Sequence, residues 1–148
     1  MARIQRFVFL SDKFYTEHPQ SLFPEIEHKT TRPYIQVLTL IDGVQYAIPL
    51  RSNINHPHVF WTDKENHCGV DYSKAVVISD EEYIDADKKP FIRQNEFDAL
   101  RGKDYRIQMG MRKYIARYMK AKQNPDDAMN SSILEKSTLQ YYEAYFMH

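Results

Sequence analysis

The sequence has few of the residues that define specialised structural classes. It contains one cysteine and four glycines in 148 residues, and its 20 basic side chains are balanced by 20 acidic ones. A single cysteine excludes an internal disulfide bond and suits a reducing compartment. So little glycine in an otherwise unbiased composition argues against a fibrous or low-complexity protein. A net charge of zero argues against a uniformly basic nucleic-acid-binding protein.

Long apolar runs are also missing. No apolar stretch approaches the roughly 20 residues that span a bilayer, and residues 1–6 lead into a short strand-like run rather than a signal peptide. We therefore expect a cytoplasmic protein without membrane contact. A chain of 148 residues that is 43% hydrophobic can bury a substantial core. We predict a single domain over residues 1–148.

The order of patterns along the chain predicts the fold class. Apolar runs in the first half are predicted strands, at residues 4–10, 34–41, 44–50, 59–62 and 72–78. Helical periodicity dominates the second half, with predicted helices at residues 95–101, 103–122 and 132–146. Strands followed by helices are typical of an α+β domain with a mainly antiparallel sheet flanked by helices.

Asp42-Gly43 separates two of these runs and is the strongest local signal in the chain. A two-residue Asp-Gly connection between extended runs predicts a tight β-hairpin, because its primed turn needs positive φ angles. The second run leads directly into the polar loop Arg51-Ser-Asn-Ile-Asn-His-Pro-His58. The hairpin therefore carries arginine, serine, asparagine and histidine side chains to one end of the sheet.

This mixture of side chains suits a site that cleaves a phosphodiester. Imidazole exchanges protons near neutrality because its ordinary pKa is about 6.5. A guanidinium and a hydroxyl can hold the non-bridging oxygens of a phosphate. We assign proton transfer to His56 with His58 as its partner, and phosphate contact to Arg51 and Ser52. A simple polar turn after a strand is the alternative interpretation of this loop.

The spacing of His56 and His58 also suggests a metal site. Zinc sites in proteins need three or four ligands, and His67 with Cys68 is the only obvious supplement. No His-Glu-x-x-His motif occurs in the chain. We therefore predict neither a metal nor another cofactor.

Basic residues are concentrated between positions 101 and 122, where eight of them accompany one acid. Four fall within a narrow arc of the predicted helix: Arg106, Lys113, Arg117 and Lys120. Such a stripe can bind nucleic acid on a neutral protein, and the solvated face of an amphipathic helix has the same pattern. Eleven tyrosines and eight phenylalanines add candidates for stacking unpaired bases.

Short motifs around the hairpin resemble those of a known toxin family. Tyr46-Ala-Ile-Pro-Leu-Arg-Ser52, preceded by Arg32-Pro-Tyr34, resembles the core of the type III toxin–antitoxin endoribonucleases. These are the ToxN/AbiQ toxins and their CptN and TenpN relatives. Residues 6–15 and 71–78 are similar to the family's opening strand and to a later core strand. The run Leu-Arg-Ser-Asn-Ile-x-His resembles the CptN/TenpN branch.

The resemblance implies a compact domain with a highly twisted antiparallel sheet, similar to that of Kid/MazF-like toxins. It implies metal-independent, sequence-specific cleavage of single-stranded RNA through a 2′,3′-cyclic phosphate. It also implies a small antitoxin RNA of pseudoknot repeats, which inhibits the toxin in a closed toxin–RNA assembly. The biological role would be abortive infection in antiviral defence, without a DNA partner.

Individual residues can be carried over from the family. Ser52 matches its active-site serine, and Arg32 falls where the ToxN branch has an RNA-contacting lysine. Ile54 occupies the position of the ToxN-branch catalytic lysine, so we expect His56 to take that role, with Lys74 and Arg51 as alternatives. The other expected RNA contacts are Tyr34, Tyr46, Asn53, Lys74, Arg106, Lys113, Arg117 and Lys120. A non-catalytic RNA-binding module with the same cationic face is the alternative function.

Overall fold

Six strands and five α-helices form the part of the chain that the computed structural model describes, residues 7–28 and 33–147. The strands are β1 (Phe7–Val8), β2 (Gln36–Ile41), β3 (Val44–Arg51), β4 (Val59–Asp63), β5 (Cys68–Asp71) and β6 (Val76–Val77). The helices are α1 (Asp12–Glu17), α2 (Gln94–Leu100), α3 (Asp104–Gln123), α4 (Ala128–Lys136) and α5 (Glu143–Phe146). All described strand pairs are antiparallel. The predicted α+β fold is confirmed.

The sheet has the order β1-β2-β3-β5-β4, with β6 also paired to β3. On one side β3 changes partner along its length: Tyr46 and Ala47 pair with β6, and Leu50 and Arg51 pair with β5. Pro49 lies between these two stretches. The neighbouring Leu50 N–H points to the β2 side of the strand, where it donates to the carbonyl oxygen of Ile35, just before β2. The nitrogen of Pro49 therefore faces the opposite side, between β6 and β5. The sheet therefore loses no hydrogen bond between strands, although proline has no N–H to donate.

The predicted hairpin is confirmed as the joined strands β2 and β3. Ile41 pairs directly with Val44, so the connection consists of Asp42 and Gly43 alone. Their φ angles are +50° and +82°, as a primed turn requires. This local geometry sets the register that brings Arg51 to the far end of β3.

Other predicted strands are shorter or shifted. Only Phe7–Val8 of the run 4–10 is a described strand, and residues 1–6 lie outside the described residues. The run 72–78 divides into a 3₁₀ turn, Tyr72–Lys74, and the short strand β6. The segment between the predicted strands 59–62 and 72–78 contains a further strand, β5, because the backbone of Cys68–Asp71 pairs with both β3 and β4.

The long basic helix is confirmed as α3, and its predicted apolar stripe is buried: Ile107, Met111, Ile115 and Tyr118. The final helix predicted at residues 132–146 is wrong. Helix α4 begins earlier, with the Asp127 carboxylate accepting from the first backbone N–H groups, and it ends at Lys136. Thr138 follows in a 3₁₀ turn, and its buried hydroxyl donates to backbone carbonyl groups of Ser73 and Ala75. These contacts hold the chain in a non-helical path.

The core is built from the sheet, α1, α3 and the C-terminal segment, with Phe14, Ile48, Met111 and Leu139 fully buried. Tyr46 belongs to this core, and its side chain is 1% exposed. Its predicted contact with RNA is wrong, because a ring without accessible surface cannot stack on a base. Among the described residues, no helix combines the length and apolar character needed to cross a membrane.

Candidate active site

The polar loop after β3 is anchored by Ile54. Its side chain is buried, and its backbone N–H donates to the carbonyl oxygen of His67 at 3.1 Å. The Nδ1 atom of His67 lies 3.0 Å from the Ile54 carbonyl oxygen. Asn53 has a φ of +57°, in the left-handed region that asparagine tolerates well. Ile54 therefore holds the loop in place, while Ser52 and Asn53 are exposed.

A buried carboxylate, Asp71, organises the polar side chains around this loop. Its Oδ2 atom accepts from Arg51 Nη1 at 2.5 Å. Its Oδ1 atom accepts from the Ser73 N–H at 3.0 Å and hydroxyl at 2.6 Å, and lies 3.1 Å from His56 Nε2. Burial opposes ionisation, but the His56, Ser73 and Arg51 contacts outweigh it and lower the pKa of Asp71. The group therefore stays a carboxylate.

Sequence reasoning missed Asp71. The available signal was an aspartate directly before a turn with serine two residues later, a pattern in which the carboxylate caps the turn. That pattern predicts the contact with the Ser73 N–H and no other. The contacts with Arg51 and His56 span 20 and 15 residues and depend on the pairing of β5 with β3 and β4.

Both ring nitrogens of His56 are engaged. Nε2 faces Asp71, and Nδ1 accepts from the backbone N–H of His58 at 3.1 Å. Because Nδ1 accepts a hydrogen bond, the neutral form of the ring carries its proton on Nε2. The geometry therefore favours His56 as a group that positions the loop. It argues against the proton-transfer role predicted for His56, because neither nitrogen is left for a substrate.

The contacts among Ser73, His56 and Asp71 do not form a hydrolase triad. Ser73 Oγ lies 3.2 Å from His56 Nε2, the same nitrogen that faces Asp71. In a triad the serine and the carboxylate contact opposite nitrogens of the imidazole. Ser73 is also 7% exposed. Acyl transfer by this serine is therefore not supported.

Arg51 also has a positioning role. Besides Asp71, its guanidinium contacts Glu27, with 3.0 Å between Nη2 and Oε1, and the side chain is 21% exposed. Burial opposes its charge, but Glu27, Asp71 and Tyr34 together raise the pKa of Arg51. Two carboxylates thus balance its charge. The structure favours Arg51 as an anchor of β3 over the predicted phosphate contact.

His58 differs from His56 in having a ring that is open to a ligand. It lines a cleft of about 350 Å³ together with Lys113 and Arg117 of α3. Its ring centroid lies 5.6 Å from that of His56 and 5.2 Å from that of Tyr114. Within the described residues, no hydrogen bond reaches either ring nitrogen. Burial, the His56 charge and the Arg117 charge lower the pKa of His58, so its ring is neutral at pH 7.

Gly110 brings α3 close enough to form this cleft. A Cβ atom at this position would lie 2.2 Å from the Tyr72 hydroxyl oxygen. Any larger residue would therefore force either the Tyr72 ring or the helix to move. One and two turns further along α3, Lys113 and Arg117 share the face of Gly110, and both line the cleft beside His58.

The basic stripe on α3 is available for binding. Arg106, Lys113 and Lys120 are exposed, and Arg117 is half-buried. None of the four forms an ion pair with another described residue, whereas Arg112 and Lys122 of the same helix pair with Asp42 and Glu143. The stripe is therefore a row of unneutralised cations that passes through the His58 cleft.

Ser52 lies at a different cleft. This second cleft, of about 380 Å³, is lined by Ser52, Arg51 and Tyr34 and does not include His58. Conversely, Ser52 does not line the His58 cleft. Of the predicted catalytic residues, Arg51 and Ser52 line one cleft and His58 lines the other. His56 lines neither, and contacts Asp71, which also contacts Arg51.

Lys74 and Arg32 are the remaining residues predicted to contact RNA. Lys74 is mostly buried, and its Nζ atom donates to the Lys136 carbonyl oxygen at 2.9 Å and lies 3.8 Å from Glu25. Its amino group is thus engaged at the end of α4, and its predicted role in RNA contact or catalysis is not supported. Arg32 lies outside the described residues.

Neither a metal-ligand cluster in the described residues nor a similarity to known proteins adds evidence about the function. Over residues 7–28 and 33–147, no group of three histidine, cysteine, aspartate or glutamate side chains is arranged to hold a metal ion. The chain matches no known family model, no curated protein and no solved structure. The geometry of the two clefts and the resemblance of the motifs are therefore the evidence for the function of this protein.

Proposed function

We propose that the protein is an endoribonuclease that cleaves single-stranded RNA without a metal ion. The observation that carries this proposal is the His58 cleft, where a neutral imidazole lies with Lys113 and Arg117 and has no hydrogen-bond partner among the described residues. A neutral imidazole can accept a proton, and the two cations can bind the phosphate beside it. RNA supplies the remaining group, its own 2′-hydroxyl nucleophile.

The reaction is an internal transesterification. His58 takes the proton of the 2′-hydroxyl, and the 2′-oxygen forms a bond to the adjacent phosphorus. The bond between phosphorus and the 5′-oxygen breaks, which leaves a 2′,3′-cyclic phosphate, and the departing 5′-oxygen takes a proton from solvent water. Arg117 and Lys113 stabilise the charge on the non-bridging oxygens during this change.

The basic stripe would guide the RNA strand to His58. Arg106 and Lys120 are 14 residues apart, or about 21 Å along the helix axis. Each phosphate contact with single-stranded nucleic acid contributes about 0.7 to the slope of log affinity against log salt. We therefore expect Lys120→Ala to weaken RNA binding and to reduce that slope by about 0.7, as measured by fluorescence anisotropy. An unchanged slope would contradict a phosphate contact by Lys120.

We place this activity in a type III toxin–antitoxin system. The support is the resemblance of the β3 motif and of the run through His56 to the CptN/TenpN branch. The toxin would act in the cytoplasm, and a small RNA of pseudoknot repeats would inhibit it in a closed assembly. Short tandem repeats in the DNA upstream of the gene would encode that RNA. The intact gene should resist cloning without those repeats, whereas a His58→Ala gene should not.

The direct test uses protein freed of RNA by unfolding and refolding. It is incubated in EDTA with a single-stranded RNA of mixed sequence, and the products are mapped by sequencing and end-group analysis. We expect site-specific fragments that end in a 2′,3′-cyclic phosphate. Intact RNA that shifts on a gel would favour the non-catalytic RNA-binding module. Neither cleavage nor a shift, from protein shown to be folded, would overturn both functions.

The pH dependence of cleavage should identify His58 as the base. The rate should fall as the pH drops through the pKa of His58, because only the neutral ring accepts a proton. Since that pKa is lowered, the half-maximal rate should lie below the ordinary histidine value of about 6.5. Arg117→Gln removes a charge that lowers the pKa, so the acidic limb should move to higher pH.

Lys120→Gln is the matched control for this profile, because Lys120 belongs to the same stripe and does not line the His58 cleft. It should leave the acidic limb in place. The measurement is kcat/KM between pH 4.5 and 8 for the three proteins. Profiles that coincide for the wild type and Arg117→Gln would refute the assignment of the limb to His58.

A further inference from the structure

The Ser52 cleft has the composition of a binding site for a planar ligand. Its lining includes the apolar residues Phe9, Ile35 and Leu50 together with several polar side chains. Its volume of about 380 Å³ falls in the range of small-molecule sites. An apolar lining with a few polar groups is the usual composition of such sites.

Phe91 gives this cleft an exposed aromatic wall. Its side chain is 90% exposed, the largest exposure among the large hydrophobic residues of the described chain. It lines the cleft together with Tyr34. An aromatic face that is open to solvent in a partly apolar cleft can stack on an unpaired base. Phe91 contributes to no described part of the buried core.

Arg93 and Glu96 give the cleft both a donor and an acceptor. They lie three residues apart at the start of α2, and both line the cleft. Neither side chain has an ion pair or a hydrogen bond with another described residue, so both can bind a ligand. The guanidinium only donates hydrogen bonds, and the carboxylate only accepts them.

These two groups together match the edge of guanine. Its Watson–Crick edge presents two adjacent N–H donors and one carbonyl acceptor. A carboxylate can accept from both donors, while a guanidinium donates to the carbonyl oxygen or to N7. Adenine and cytosine each present one amino donor on that edge beside a ring acceptor. Uracil presents a single ring N–H between two carbonyl groups.

We propose that the Ser52 cleft binds an unpaired guanine base of the RNA substrate. The base stacks on Phe91, its N–H groups donate to Glu96, and its carbonyl oxygen accepts from Arg93. This inference deepens the proposed ribonuclease function, on which it rests, by naming the base that the enzyme recognises. Ser52 also lines the cleft, and its hydroxyl can contact the sugar or phosphate attached to the base.

The binding test uses mononucleotides, so it is independent of cleavage. The 5′-monophosphates of guanosine, adenosine, cytidine and uridine are titrated into ¹⁵N-labelled protein, and Kd is obtained from NMR shift changes. Guanosine monophosphate should bind at least about fivefold more tightly than the others. Phe91→Ala should weaken it at least about fivefold, as expected for a lost stacking contact. Glu96→Gln should remove most of the preference for guanine.

Phe97→Ala is the matched control. Phe97 is also an exposed phenylalanine of this region, 41% exposed, but it contacts Arg101 and does not line the cleft. Its replacement should leave nucleotide binding unchanged. Equal binding of the four nucleotides, or equal effects of Phe91→Ala and Phe97→Ala, would overturn the guanine site.

A cleavage experiment separates this inference from the ribonuclease proposal. Inosine lacks the N2 amino group, so RNA with inosine in place of guanosine should be cleaved at least about fivefold more slowly at the mapped sites, in line with the loss of one charge-assisted hydrogen bond. Cleavage that is insensitive to inosine and to Phe91→Ala would refute the guanine site and leave the ribonuclease proposal standing. Selective guanosine monophosphate binding without any cleavage would support the site and refute the ribonuclease.

Discussion

Replacement of His58 by alanine should lower the single-turnover rate of RNA cleavage at least about 100-fold. General base catalysis by a positioned side chain contributes a factor of about 10² to 10⁴, and among the described residues that line the cleft His58 is the only histidine, aspartate or glutamate. RNA binding should change little, because Lys113 and Arg117 remain. The measurement is the rate of cleavage at saturating protein, with affinity determined separately by anisotropy.

Ser52→Ala is the informative comparison for this variant. Ser52 lies at the other cleft, so the loss of its hydroxyl should slow cleavage by no more than about tenfold, the effect of one neutral hydrogen bond. Thermal unfolding of both variants checks that each is folded. A large loss for Ser52→Ala beside a small one for His58→Ala would place the reacting phosphate in the Ser52 cleft. That outcome would refute His58 as the base.

Asp71→Asn should have the largest effect on stability. It removes the charge from a fully buried carboxylate and leaves Arg51 without that partner. Removal of one member of a buried ion pair costs about 3–5 kcal/mol in other proteins, so the free energy of unfolding should fall by about that amount. Urea denaturation at pH 7 measures it. His56 also loses its charged partner, so we expect cleavage to fall with stability.

Asp98→Asn is a matched control, because Asp98 pairs with Arg101 on the surface of α2. Exposed pairs contribute at most about 1 kcal/mol, and the free energy of unfolding should change by no more than that. A loss for Asp71→Asn as small as for Asp98→Asn would contradict the central role of Asp71.

The stability difference between wild type and Asp71→Asn should also depend on pH. The pKa of Asp71 is lowered in the folded protein, so its ionised form stabilises the fold above the unfolded value of about 3.9. As the pH falls below about 3.9 toward the folded pKa, the wild type loses this contribution and the asparagine variant has none to lose. The difference should therefore shrink in acid. A constant difference between pH 7 and pH 3 would show that ionisation of Asp71 is not its source.

Local features of the sequence were sufficient for much of the fold. Asp42-Gly43 predicts the hairpin because its turn depends only on the φ angles of those two residues. The apolar spacing through α3 predicts its buried face because helical periodicity relates neighbours three and four residues apart. Tyr46 shows the limit of such reasoning, because a tyrosine in a strand is equally compatible with a core and with a base-stacking position.

By itself the sequence determined the α+β class, the hairpin, the long helix with its basic stripe, and the loop that carries the polar side chains. Only the tertiary structure decided what those side chains do. The pairing of β3 with β5 brings Arg51 to Asp71, and the loop returns His56 to the same carboxylate. These contacts turn Arg51 and His56 into positioning groups, leave His58 open beside α3, and separate it from Ser52. Local propensity acts over a few residues, whereas these roles depend on strand register and helix packing between distant segments.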